Sequence, residues 1–154
     1  HTGDIGEFDK DRYLKITDRK KDIIVNAGGD NISPSRIEEK LDIEPEIAQS
    51  MLYGDFKNYL VAIIVPDKDQ ALSWAKKNNK ILNLSSIVKD EEFIKKIKEI
   101  TIKVNKNLSI IEQVRKFILI DEEFTIENDM MTPTMKVKRF KVKKVYSEQL
   151  ENLY

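Results

Sequence analysis

Apolar residues along the chain follow both of the spacings that predict secondary structure. Between residues 90 and 107 they lie three or four positions apart, with lysines and glutamates between them, which predicts an amphipathic helix. Residues 60–65 form the longest unbroken aliphatic run and are followed by Pro66, which predicts a buried strand that ends at the proline. The predicted helix would bury Phe93, Ile97, Ile100, Val104 and Leu108.

Shorter elements are predicted on both sides of these two. Residues 5–17 predict a β-hairpin, because two short alternating runs flank a turn-forming Asp-Lys-Asp sequence. Residues 67–78 predict a short helix that contains the only tryptophan, and residues 117–120 predict another strand. Residues 141–153 again show a helical pattern. Because strands and helices mix without strict alternation, the chain is predicted to have an α+β fold.

A glycine-containing segment follows the strand-like residues 23–25. Residues 26–31 read Asn-Ala-Gly-Gly-Asp-Asn, a composition typical of a tight loop. Gly28 and Gly29 have no side chain, so the backbone there is expected to reach positive φ.

The start of the next helix is left open between two positions. Ser33 and Pro34 have the pattern of an N-cap followed by a first-turn proline, and this helix would continue to about Leu41. Ser35 and Glu38 have the spacing of a capping box and offer a second start.

Composition excludes several classes of chemistry. The 154 residues include no cysteine, so disulfides, thiolate metal sites and cysteine nucleophiles are excluded. The only histidine is His1, which argues against a serine–histidine hydrolase or a histidine metal site. Lysine plus arginine and aspartate plus glutamate both number 27, so any basic site must be local. Without an apolar run of membrane-spanning length or a signal-like start, we expect a cytoplasmic protein, with peripheral membrane association left open.

Two clusters of residues in the first part of the chain have candidate chemistry. Asp4 follows a glycine at the entrance to the predicted hairpin, where its carboxylate could accept hydrogen bonds from sugar hydroxyls, although alone it is more typical of a solvated turn. Residues 16–25 contain a charge run, which is usually a solvated connector. Gly28 and Gly29 would let a ligand approach the backbone, but they match no dinucleotide or P-loop fingerprint.

The third cluster is basic and lies near the end of the chain. Six of the nine residues from 136 to 144 are lysine or arginine. If the segment were extended, Lys136 and Lys138 would point to the same side, and phosphate is the natural partner of such a pair. The alternative is a solvated helix face.

Taken in order, these clusters resemble the last three motifs of the AMP-forming, adenylate-forming ligases. The resembling segments are residues 2–4, residues 18–38 (DRKKDIIVNAGGDNISPSRIE) and residues 132–139 (TPTMKVKR), in the style of long-chain fatty-acid–CoA ligases. The resemblance implies that residues 1–20 are the tail of a large N-terminal domain, a β-hairpin with a linker. Residues 21–154 would then form the C-terminal mobile lid domain, a small mixed β-sheet flanked by helices.

The resemblance also implies a role for residues near the hinge and the loop. Asp4 would bind the ribose hydroxyls of the adenylate, and Arg19 would contact the ribose or the phosphates. Lys21 falls at the hinge about which the lid domain swings between two orientations. Gly28 and Gly29 would line the path of the CoA pantetheine in the second orientation.

The last of the three motifs contains the catalytic lysine of the family. Lys136 is the best match to it, and Lys138 is kept as the alternative because of a departure from the family pattern. The wider superfamily has a glycine directly before this lysine, whereas this chain has Met135. The ammonium group would stabilise the charge that develops when a carboxylate attacks the α-phosphate.

The implied function is that of a long-chain fatty-acid–CoA ligase, an acid–thiol ligase that forms acyl-AMP from ATP and then transfers the acyl group to CoA. We expect this chain alone to be inactive, since the phosphate loop and acyl tunnel belong to the large N-terminal domain, its expected partner. ATP with Mg²⁺, fatty acid and CoA would be substrates, and neither a bound metal or prosthetic group nor nucleic acid is expected here. The alternatives are a peptide-synthetase adenylation domain, an aryl-CoA ligase, or a non-catalytic module that binds phosphate or nucleic acid through residues 136–144.

Overall fold

The computed structural model describes residues 4–8, 14–19 and 23–154. The first two segments are the strands β1 (Asp4–Phe8) and β2 (Leu14–Arg19), which pair antiparallel. The strands of the predicted hairpin are therefore confirmed, and its turn lies outside the described residues.

A small hairpin and a helix come next in the chain. Strands β3 (Ile24–Val25) and β4 (Asn31–Ile32) pair antiparallel on the two sides of the predicted glycine loop. Helix α1 (Pro34–Asp42) begins directly after Ser33 at the N-cap position, so the first of the two predicted starts is confirmed. The second start at Ser35 is wrong, because the carboxylate of Glu38 faces the interior instead of the first helical turn.

The centre of the fold is a mixed three-stranded sheet in the order β5 (Ile47–Tyr53), β6 (Leu60–Pro66), β7 (Val114–Leu119). Strand β6 pairs antiparallel with β5 and parallel with β7. All seven residues of β6 are buried, as a central strand requires, and the strand ends at the proline as predicted. The strand predicted at residues 117–120 is confirmed as β7, although it begins three residues earlier.

Three helices lie between β6 and β7. They are α2 (Lys68–Lys77), α3 (Leu84–Ile87) and α4 (Glu91–Asn105), and a short 3₁₀ helix (Ile110–Glu112) follows them. The side chain of Asp90 caps α4 by accepting hydrogen bonds from two backbone N–H groups of the first turn. Four of the five residues predicted for its apolar face are buried, and Ile100 is half-buried. Among the described residues, no helix combines the length and apolarity that crossing a bilayer requires.

Two short helices end the described chain, α5 (Arg139–Val145) and α6 (Ser147–Glu151). They divide the single helical pattern predicted for residues 141–153 at Tyr146. Both pack against the same face of the central sheet through Val142, Tyr146 and Leu150.

The core has two parts because β6 is buried on both faces. Its even-numbered apolar side chains join the helices α1 to α4 in one cluster, and its odd-numbered side chains join α5, α6 and residues 124–131 in the other. The second cluster positions residues 132–138, since they lie between residues 124–131 and α5 and Val137 packs against the cluster.

Candidate functional site

The two candidate lysines, Lys136 and Lys138, lie in and directly after a closed loop. Met131 and Val137 form an isolated antiparallel bridge that closes it. The backbone N–H of Thr132 donates to the carbonyl oxygen of Lys136 at 2.7 Å, and the Lys136 N–H donates to the Thr132 hydroxyl oxygen at 3.1 Å. The segment is therefore a tight turn and not the extended strand for which we expected Lys136 and Lys138 to share one side.

Met135 takes a backbone conformation that favours glycine. Its φ is +66°, in the left-handed region, and its side chain is exposed to solvent. A residue with a Cβ loses about 1–2 kcal/mol in this conformation, a cost that the closed loop offsets. The loop therefore keeps, with a methionine, the geometry for which glycine is suited at the position directly before Lys136.

The two candidate lysines have different surroundings. The ammonium of Lys138 donates to the carboxylate of Asp129, forming an ion pair at the edge of the loop. Lys136 is exposed, and within residues 23–154 no carboxylate lies within ion-pair distance of its ammonium. The ammonium of Lys136 is thus available to an external anion, whereas the ammonium of Lys138 is already paired with a carboxylate.

The ion pair with Lys138 affects the pKa of the Asp129 carboxyl. The hydrogen bond and positive charge of Lys138 hold the pKa of the Asp129 carboxyl below its usual range. We expect Lys138→Met to raise this pKa towards the ordinary aspartate range, with the charge of Lys141 still lowering it, and Lys136→Met to leave it unchanged. A carbon-detected NMR titration of the Asp129 carboxyl in both variants measures this, and an equal rise in the two would contradict the separate surroundings of the lysines.

A groove runs beside the loop and along α5. Its volume is about 780 Å³, and both apolar and basic side chains line it. Ile24 and Leu52 supply apolar walls, while Lys136, Lys141 and Lys144 supply positive charge. Such a groove is suited to an anionic ligand with an apolar portion.

A buried ion pair anchors α5 below this groove. The Arg139 guanidinium donates two hydrogen bonds to the Glu38 carboxylate, one of them 2.5 Å long from Nη1 to Oε2. Glu38 also accepts the backbone N–H of Leu52 at 2.8 Å. Because removing one partner of a buried pair leaves an uncompensated charge, the pair fixes α5 against α1 and β5 and thereby holds the Lys136 loop in place. Sequence reasoning missed this pair, whose partners lie 101 residues apart.

The glycine loop, residues 26–30, projects from the domain. Gly29 has a φ of +84°, as predicted, and a Cβ built there would meet no atom within 4 Å. Asp30 closes the loop, since its N–H donates to the Asn26 side-chain oxygen at 2.8 Å. The two glycines therefore expose bare backbone to an approaching molecule.

Two further predicted site residues, Asp4 and Arg19, lie in the first two strands. Asp4 and Arg19 are directly opposite each other in the β1–β2 ladder, so the fold brings these two positions together. Lys21 lies outside the described residues.

The profile of the family described as "AMP-binding enzyme C-terminal domain" matches residues 21–154. Because the match covers well over half of the residues, the chain belongs to this family. Two relatives extend the match to the whole chain. A long-chain-fatty-acid–CoA ligase of Mycobacterium tuberculosis is 37% identical over 99% of this chain, and long-chain-fatty-acid–CoA ligase 1 of Cavia porcellus is 36% identical over 100% of it.

Among solved structures, the adenylation domain of a carboxylate reductase from Mycobacterium chelonae is similar to this chain. It aligns with a TM-score of 0.81 and 29% sequence identity, covering 99% of this chain and 22% of that one. The chain also covers only 26% and 22% of the two ligases, so it spans about a quarter of the length of the curated relatives it matches.

Proposed function

We propose that this chain is the C-terminal part of an AMP-forming long-chain fatty-acid–CoA ligase. The observation that carries the proposal is the identity of 35–37% to ligases of that name over 99–100% of the chain. In the parent enzyme, a fatty-acid carboxylate oxygen would attack the α-phosphorus of ATP, and the bond to pyrophosphate would break. The CoA sulfur would then attack the acyl carbon of the acyl-AMP, lose its proton and release AMP.

Lys136 is the residue that we assign to the first step. Its exposed ammonium, free of carboxylate partners among residues 23–154, is available to the anionic centre formed by the carboxylate and the α-phosphate. A positioned cation of this kind stabilises developing charge, and lysine acts there as a point charge. The ion pair of Lys138 with Asp129 supports Lys136 over Lys138.

The other site residues are assigned to the nucleotide and to CoA. The opposite positions of Asp4 and Arg19 in one ladder support a shared ligand, the adenylate. The bare backbone at Gly28 and Gly29 supports a close passage for the thin pantetheine arm. We further assign residues 1–20 to the edge of the large domain and its linker, and residues 21–154 to a lid that rotates at Lys21.

The structural likeness to a carboxylate reductase adenylation domain favours one alternative, an adenylation domain for a different acid. The ligase and the adenylation domain would share the first half-reaction, formation of the acyl-adenylate. They would differ in the acid that is activated and in the acceptor of the acyl group. Activity of the parent with long-chain fatty acids and free CoA supports the ligase, whereas activity with aryl acids and no transfer to CoA supports the alternative.

The isolated chain provides a direct test of its assignment as a lid. We expect residues 1–154 to fold cooperatively and to show no ATP–pyrophosphate exchange, because a lid supplies a cation but no pocket for ATP or acid. The same assay on the parent enzyme, with palmitate and MgATP, should show exchange. Exchange by the isolated chain, after removal of contaminating host enzyme by a second purification, would contradict the proposal.

A further inference from the structure

Besides its own hydrogen bonds and the β3–β4 pairing, the glycine loop is bonded to a second loop of the domain. The N–H of Ala27 donates to the carbonyl oxygen of Lys57 at 2.9 Å, and the N–H of Phe56 donates to that of Val25 at 2.8 Å. Lys57 and Phe56 belong to the β5–β6 loop, residues 54–59. These two bonds connect the glycine loop and the preceding Val25 of β3 to the β5–β6 loop.

The conformation of the β5–β6 loop is strained and is not stabilised by burial of its tip. Phe56 has a φ of +59° and is 79% exposed, so its conformation gains nothing from burial of its ring. A Cβ at Gly54 would lie 2.5 Å from the Leu60 side chain, which shows how closely the two ends of the loop approach. A loop with strained backbone and an exposed tip persists only where its surroundings fix it.

Residues 151–154 fix this loop at both ends. The Tyr154 hydroxyl donates to the carbonyl oxygen of Tyr59, the last residue of the loop, at 2.9 Å. The carbonyl oxygen of Tyr53, directly before the loop, lies 3.3 Å from the same hydroxyl. The rings of Tyr154 and Tyr59 stack with centroids 4.7 Å apart. A second hydrogen bond runs in the opposite direction, since the Tyr59 hydroxyl donates to the carbonyl oxygen of Leu153 at 2.8 Å.

An ion pair adds to this support, as does the one between Lys143 of α5 and Asp55 of the loop. The Lys57 ammonium donates to the Glu151 carboxylate at 2.7 Å and lies 4.9 Å from the centre of the Tyr154 ring. Glu151 also accepts the Tyr53 hydroxyl. Desolvation, together with this bond, raises the pKa of Tyr53 to about 12. Lys57 is the same residue whose carbonyl oxygen receives the Ala27 N–H, so the contact reaches the glycine loop in one step.

We propose that Tyr154 is a positioning residue for the CoA-dependent half-reaction, acting through the β5–β6 loop on the glycine loop. The inference rests on the proposed function, since it takes the glycine loop as the surface that CoA passes. Tyr154 touches no reacting group in this account. It holds residues 54–59, and these hold the backbone of residues 26–30 where the pantetheine arm must fit.

The test uses the full-length parent enzyme and separates its two half-reactions. In Tyr154→Ala we expect the KM for CoA to rise about tenfold, since small displacements of positioning groups have effects of that order or larger, while ATP–pyrophosphate exchange stays within about twofold. Tyr154→Phe keeps the stacked ring and loses the hydroxyl, so the KM should rise by about threefold. Hydrogen exchange of the Ala27 and Phe56 amides should accelerate in Tyr154→Ala.

Trp74→Ala is the matched control for general loss of stability. Trp74 is a half-buried aromatic residue that packs on Phe93 with ring centroids 5.1 Å apart, on the other face of the sheet. It should lower the melting temperature without changing the KM for CoA or the exchange at residues 26–30. An unchanged KM for CoA in both Tyr154 variants, or an equal loss in both half-reactions, would overturn the inference. If the wild-type parent forms no thioester at all, the proposed function itself fails, which is a separate outcome.

Discussion

Replacing Lys136 by alanine in the full-length parent enzyme is expected to slow acyl-adenylate formation by about 100- to 1000-fold, the usual loss when one preorganised charge-stabilising group is removed. The attacking carboxylate and the α-phosphate are both anionic, and Lys136 presents an exposed ammonium without a carboxylate partner in residues 23–154. The second half-reaction does not need this charge. Transfer from supplied acyl-adenylate to CoA should therefore stay near the wild-type rate.

Lys138→Ala is the matched comparison, because it removes the same charge two residues away in the same segment. Its ammonium is engaged by Asp129, so its loss should reduce adenylate formation by only a few-fold. Pyrophosphate release with palmitate measures the first step in both variants, and thioester formation from palmitoyl-AMP measures the second. A severe loss in Lys138→Ala with an active Lys136→Ala would show that Lys138 is the catalytic lysine.

Replacing Lys21 by proline is expected to impair the second half-reaction and to spare the first, the reverse of the effect of Lys136→Ala. A hinge concentrates backbone rotation in a few connector residues, and proline fixes φ near −65° while restricting the residue before it. We expect the adenylation orientation to survive. The variant should still make acyl-adenylate and release pyrophosphate, but lose thioester formation by orders of magnitude.

Lys21→Ala is the control for this experiment, since it removes the same side chain and leaves the backbone free. Both of its half-reactions should stay within a few-fold of wild type, and circular dichroism should show that both variants are folded. Wild-type rates for both steps in Lys21→Pro would mean that Lys21 is not the pivot and that the charged cluster around it is a solvated connector.

Local sequence patterns were sufficient to predict a helix or strand where its buried side chains follow one regular spacing or one unbroken run. Helix α4 shows its apolar face by spacing alone, and β6 shows its burial by an unbroken aliphatic run. Strand β5 was not predicted, because polar Gln49 and Ser50 interrupt its apolar residues. Gln49 fits there because its amide bonds to the backbone of Phe124 at 2.7 and 3.0 Å, a partner 75 residues away.

The glycine loop and the family resemblance of residues 18–38 and 132–139 follow from the amino-acid sequence itself. Gly29 has positive φ because the absence of a Cβ makes that conformation accessible, a property of the residue and not of its surroundings. The class of protein follows for a similar reason, since it depends on which residues occur in which order. Both are matters of local chemistry.

Only the tertiary structure decided how the lysines and the loops are used. From their spacing, Lys136 and Lys138 were expected on the same side of an extended segment. In the structure, Lys138 forms an ion pair with Asp129, and the closed turn leaves Lys136 exposed. Likewise, Tyr154 reaches Tyr53 and Tyr59 across 101 and 95 residues. Periodicity reports which residues are buried, whereas the partner of a charge or hydroxyl depends on how the chain folds back on itself. A loop brings Lys138 to Asp129, and packing on the central sheet brings Tyr154 to the β5–β6 loop.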